Sequence, residues 1–164
     1  MFLSSSEISS RLVSDLRLGL PIILYDAKTY FLIAAIETLY SEKLDKIMEI
    51  AKNQNFEIAI TNRRAKVLNV RIYNESVTRI SIREKINIQL LQAISDPSKD
   101  LGYQLKGPFH SERNGKFNVA SVSLSLCKKA RLLPASILVN IPKSIRDELV
   151  SSQISESDVG DLKI

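Results

Sequence analysis

The chain has 164 residues, 45% hydrophobic and 25% charged, with a net charge of +5, a size and balance that fit one globular domain. It has no run of about 18 apolar residues, and its serine-rich start lacks the basic and apolar blocks of an export signal, so no membrane span and a cytoplasmic location are expected. One cysteine, Cys127, excludes an internal disulfide framework and any multi-cysteine zinc site within these residues.

The first element reads as a helix with Ile8, Leu12, Val13 and Leu16 on one face. Ser4, Ser5 and Ser6 offer N-caps, and Gly19 followed by Pro21 marks its stop. Ile22-Ile23-Leu24-Tyr25 then forms a short apolar strand, and residues 31–36 form another, separated by the polar turn Asp26-Ala27-Lys28-Thr29. Residues 41–52 place Leu44, Ile47, Met48 and Ala51 at helical spacing, with Ser41 as the cap. Residues 56–60 return to strand character, and residues 61–68 read as a short basic helix beginning at Thr61. A strand over 77–82 and a helix over 86–94 follow, the helix ending before Pro97. Residues 95–116 contain Pro97, Gly102, Gly107, Pro108 and Gly115 and read as mostly loop. A helix over 119–132, a buried strand over 136–141 stopped by Pro142, and a helix over 143–150 complete the pattern. Residues 151–164 carry little apolar character and read as a loosely held tail or linker after a domain spanning 1–150.

Strands alternating with helices predict an α/β (α+β) fold, a layered sheet of mixed strands covered by helices. The charge is uneven: residues 1–60 net −2, residues 61–146 net +11 and residues 147–164 net −4. A basic middle fits an anionic partner, either a phosphorylated metabolite or nucleic acid, or else a solvated basic surface. No aromatics interleave with the basic residues as in a single-strand binding surface, so nucleic acid is the least expected partner.

No phosphate loop and no G-x-G-x-x-G motif is present. The one histidine, His110, sits in a Gly/Pro-containing loop, where a surface role is commoner than a catalytic one. Cys127 lies beside Val122, Leu124 and Leu126 and reads as a buried packing residue. Asp26 and Glu37 each stand alone at a strand end, short of the several oxygen ligands a Mg²⁺ ion requires.

Several segments, in order, resemble one family, the 3,4-dihydroxy-2-butanone-4-phosphate synthases of riboflavin biosynthesis. Arg17-Leu18-Gly19-Leu20-Pro21-Ile22-Ile23-Leu24-Tyr25-Asp26 is similar to the family's opening helix, Gly-x-Pro turn and strand ending in aspartate. Phe31-Leu32-Ile33-Ala34-Ala35 is similar to its next strand, and Phe56-Glu57-Ile58-Ala59-Ile60-Thr61 with Arg64-Ala65-Lys66-Val67-Leu68 to its central strand and short helix. Ile80-Ser81 with Glu84-Lys85, then Ala120-Ser121-Val122-Ser123-Leu124 through Leu132-Leu133-Pro134-Ala135-Ser136-Ile137, complete a match over about residues 8–141.

The resemblance implies the synthase fold, and it exposes two departures. The family's acidic loop after the first strand, which supplies acid–base groups and a metal-binding glutamate, is reduced here to Asp26-Ala27-Lys28-Thr29-Tyr30. Its Gly-His-Thr-Glu-Ala signature, with a metal-binding histidine and an active-site glutamate, corresponds to Lys116-Phe117-Asn118-Val119-Ala120. Phenylalanine cannot ligate Mg²⁺ and valine cannot move a proton. The expectation is a catalytically degenerate front domain of a GTP cyclohydrolase II fusion, acting as a scaffold or homodimerisation unit. It would need neither the family's Mg²⁺ nor, in these residues, the cyclohydrolase's Zn²⁺. Three alternatives stand beside it. One is a lyase acting on ribulose 5-phosphate with a site rebuilt from Asp26, Glu37, His110 and Glu112 around a phosphate held by Thr61, Arg79 and Lys85. Another is a basic module that binds anions or nucleic acid, and the third is an α/β domain whose only task is protein–protein contact.

Overall fold

The computed structural model describes residues 2–52, 56–82, 86–102, 109–115 and 117–162. Its first helix, α1 (Ser5–Arg17), begins in a reciprocal capping box. The Ser4 hydroxyl accepts from the Glu7 N–H at 3.2 Å, and the Ser4 N–H donates to the Glu7 carboxylate at 3.1 Å. The helix ends where Gly19 turns to φ +81° and the Leu20 and Gly19 N–H groups return to the carbonyls of Asp15 and Leu16. A Cβ on Gly19 would meet the Thr38 carbonyl oxygen at 2.7 Å, so both conformation and space require glycine.

β1 (Ile22–Asp26) and β2 (Thr29–Ala35) form a hairpin, followed by α2 (Ser41–Ala51), β3 (Phe56–Ile60), α3 (Asn62–Val67), β4 (Thr78–Ser81) and α4 (Ile88–Ser95). β5 (His110–Ser111), α5 (Phe117–Lys129), β6 (Ala135–Ile141), α6 (Lys143–Ser151) and β7 (Glu156–Asp158) complete the described elements. The strands make one mixed sheet in the order β5-β4-β3-β6-β2-β1-β7, antiparallel throughout except where β7 runs parallel to β1.

The alternation of side chains along each strand sends two apolar sets to opposite faces. One set, with Ile23, Leu32, Ile58, Ile80 and Val139, is covered by Leu44 and Ile47 of α2 and Leu91 and Ile94 of α4. The other, with Ile22, Leu24, Phe31, Ile33 and Leu138, is covered by Leu12 and Leu16 of α1 and by Val119, Leu124 and Leu126 of α5. Each fully buried leucine or isoleucine contributes roughly 1.5–3 kcal/mol of transfer free energy, so both faces must be covered for the sheet to persist.

Three sequence expectations are corrected. Ser41 is the first residue of α2; the cap is Tyr40, whose side chain makes no capping hydrogen bond. α5 starts at Phe117 and stops at Lys129, short of residue 132, because Arg131 adopts a left-handed φ of +60° that closes the helix. The stretch from residue 151, expected as a loose tail, holds β7: Ile23, Leu24 and Tyr25 pair with Glu156, Ser157 and Asp158, and Ser157 and Val159 are buried. Its strand is polar and short, and its order comes from the open edge of β1.

Candidate functional site

Three local arrangements of polar groups bear on the residues singled out in the sequence. The first is the β1–β2 hairpin. Asp26 pairs directly with Thr29, so Ala27 and Lys28 alone make the turn, with Ala27 at φ +56°. A two-residue connection leaves no loop that could bring further side chains over the strand ends.

The second lies across β3, β4 and β5 on the face covered by α5. Glu57 pairs with Ser81, and Ser81 with His110; one step along, Ala59 pairs with Arg79, whose carbonyl accepts the Glu112 N–H at 2.7 Å. Alternation therefore places Glu57, Arg79, Ser81, His110 and Glu112 on one face. Arg79 is buried and holds Glu57 through two hydrogen bonds, Nε at 3.2 Å and an Nη at 2.6 Å. Its other Nη donates to the Asn114 carbonyl at 2.7 Å, and the guanidinium carbon lies 4.8 Å from the centre of the Phe117 ring at the start of α5. Burial pushes the Glu57 carboxyl above the ordinary glutamate value, against the lowering effect of Arg79, and the nearby Glu112 charge adds to the rise.

The third is a cavity of about 380 Å³ at the other end of β3, with Ile60, Val67, Leu133 and Pro134 among its walls. Thr61 caps α3 by accepting the Arg64 N–H at 3.1 Å. Arg64 is buried: it donates to the Ile94 and Ala93 carbonyls at the end of α4 (2.7 and 3.0 Å) and forks onto both Asp100 oxygens (2.9 and 2.7 Å).

The sequence-predicted site residues do not converge. Asp26 on β1 and His110 on β5 are separated by five strand spacings, roughly 24 Å at the usual interstrand distance. Glu37 is exposed in the turn after β2, and Thr61 follows β3; both lie at the end of the sheet opposite Asp26 and His110. His110 and Glu112 do come together with Arg79, but the Arg79 donors are committed to Glu57 and Asn114. Lys85 lies outside the described residues. Cys127 is buried as expected, and burial drives its thiol up to about 12. Glu57 and Arg64 were not singled out in the sequence; the signal available for Glu57 was a carboxylate on the same-face alternation as Ala59 in an otherwise apolar strand. One further arrangement departs from the sequence reading. The exposed Tyr73 ring has the guanidinium carbons of Arg71 and Arg113 at 5.5 and 5.7 Å from its centre, so aromatic and basic groups do interleave there.

These observations define a three-layer mixed α/β fold whose polar groups are largely paired with one another. No protein-family model and no curated protein matches the chain. Solved structures of 3,4-dihydroxy-2-butanone 4-phosphate synthase do match its fold. A two-domain synthase from A. baumannii aligns with a TM-score of 0.66 and 16% identity over 93% of this chain, which spans 56% of that longer protein. The synthase of Candida albicans aligns at TM-score 0.69 and 13% identity, and a synthase in complex with two magnesium ions at 0.67 and 12%, each over 93% of both chains. The shared property at these identities is the fold, as the mixed sheet and its covering helices had indicated.

Proposed function

We propose that this chain is a 3,4-dihydroxy-2-butanone 4-phosphate synthase fold retained as a scaffold without the lyase reaction. It would serve as a dimerisation unit or as support for an associated GTP cyclohydrolase II domain. The β1–β2 hairpin carries this reading: where the resemblance implies an acidic catalytic loop, Asp26 pairs with Thr29 across a two-residue turn. The second signature position points the same way, since α5 opens on Phe117 stacked on Arg79, with Val119 buried two residues on.

The Mg²⁺ implied by the resemblance does not fit the residues present. Among the described residues no three His, Cys, Asp or Glu side chains gather into a set that could hold a metal ion. The ring of Phe117 offers no lone pair to a hard cation. The test is formate release from ribulose 5-phosphate with Mg²⁺ added. Background rates are expected, and sustained turnover would refute the proposal.

The Arg71–Tyr73–Arg113 stack favours a second reading, an anion-binding surface. Binding of a single-stranded oligonucleotide that weakened steeply with salt, and was lost in the R71A/R113A double variant, would support it.

A further inference from the structure

We infer that the Arg79 guanidinium is a built-in cation that takes the charge-balancing place of a divalent metal at the start of α5, so that this end of the fold closes without one. The inference deepens the scaffold reading above and rests on it.

All three guanidinium nitrogens of Arg79 donate within the fold. Two donors fork onto the two oxygens of Glu57, a third reaches the Asn114 carbonyl, and the flat face lies on Phe117. The fork supplies the bidentate geometry that a carboxylate otherwise finds in a metal or in solvent. Glu112 comes directly after β5, its N–H donating to the Arg79 carbonyl, and its charge acts on Glu57. A cation is therefore held against one buried carboxylate, Glu57, with the charge of a second, Glu112, acting on that same carboxylate; a bound divalent ion can supply the same charge balance.

The chain also wraps onto this cation. Gly115 sits at φ +121°, and a Cβ there would lie 2.6–3.0 Å from the guanidinium atoms. No side chain and no hydrated ion fits between the backbone and Arg79. A Mg²⁺ ion needs near-octahedral oxygen coordination and keeps several waters, whereas the guanidinium needs none and sheds its hydration readily. Burial raises the proton affinity of Glu57, so without a cation beside it the carboxylate would tend to neutralise by protonation.

The experiment compares thermal unfolding of the wild-type chain and Arg79→Ala in EDTA, in millimolar Mg²⁺ and in millimolar guanidinium, with tetramethylammonium as the ionic control. The wild-type midpoint should be the same in EDTA and Mg²⁺. Arg79→Ala should melt roughly 10 °C lower, the scale for breaking a buried pair in a domain of this size, and should recover part of that loss with guanidinium or Mg²⁺. A Mg²⁺-dependent rise in the wild type would overturn the inference, as would an Arg79→Ala variant that no small cation rescues. If Arg79→Ala does not fold, Arg79→Lys and Arg79→Met decide. Lysine should melt well above methionine, and equal midpoints would mean that charge is not the point. Lyase activity in the wild type would refute the scaffold reading without altering these melting results, and absent rescue would leave that reading intact.

Discussion

Replacing Arg64 by leucine should be among the most destabilising single changes in the molecule, and the reason is the end of α4 rather than the ion pair. The guanidinium satisfies the Ala93 and Ile94 carbonyls, both on buried residues, and both oxygens of Asp100. Leucine fills much of the volume but donates nothing. Each buried carbonyl left without a partner costs about 1–3 kcal/mol. Asp100 has a side chain 35% exposed, so it returns to water and adds little to the two carbonyls. The total is about 4 kcal/mol, which for a chain of this length lowers the melting temperature by roughly 8–16 °C. Urea unfolding should show the loss as a lower midpoint at unchanged slope. Asp100→Asn provides the control, because it removes the ion pair and leaves the carbonyl bonds in place; its urea midpoint should stay much closer to the wild type than that of Arg64→Leu. If the two variants lose the same stability, or Arg64→Leu loses under 1 kcal/mol, the carbonyls do not carry the effect and the reasoning fails.

Ala27→Gly should raise stability by about 1 kcal/mol, because glycine takes the left-handed turn conformation of Ala27 without a Cβ clash; a lower urea midpoint would contradict this. Cys127, fully buried and with its thiol raised to about 12, should resist a thiol reagent at pH 8 in the native protein and react only as fast as the chain unfolds. Labelling at the rate of an exposed thiol would show that α5 opens locally. Hydrogen bonds from Arg64 hold the Asp100 carboxyl below its ordinary value of 3.8, so its contribution to stability is present above that value and lost as pH falls through the depressed one. The urea midpoint of Asp100→Asn should accordingly fall less steeply than that of the wild type below about pH 4.

Most of the sheet was legible because its strands are buried on both faces and read as continuous apolar runs, Ile22-Ile23-Leu24 and Phe31-Leu32-Ile33 being the clearest. The starts of α1 and α3 were legible because Ser4 and Thr61 are capping residues directly before helical patterns. β7 was not, since Glu-Ser-Asp has no apolar period and its order comes from pairing with a strand more than 130 positions earlier in the sequence. The Glu57–Arg79 pair was not legible either. Its partners are 22 residues apart and meet only because β3 and β4 adopt one register, and a slip of one residue would send them to opposite faces. The spacing of Asp26, Glu37, His110 and Glu112 carried no information about sheet order, which separates the first from the third by five strand spacings.

The same separation between composition and structure bears on the choice of function. The net +11 over residues 61–146 suggested an anionic partner, yet three of the arginines behind it are turned inward or paired. Arg64 closes α4 against Asp100, Arg79 closes β3 against Glu57, and Arg146 bridges Asp147 and Glu156 while lying over Tyr30. A guanidinium already forked onto a carboxylate has little left to offer a phosphate, because binding would have to displace an internal bond of equal quality. That part of the basic charge is committed to internal pairing rather than to a bound anion. An anion bound by this chain would be met by exposed groups such as Arg71 and Arg113, whose guanidinium carbons both lie over the Tyr73 ring.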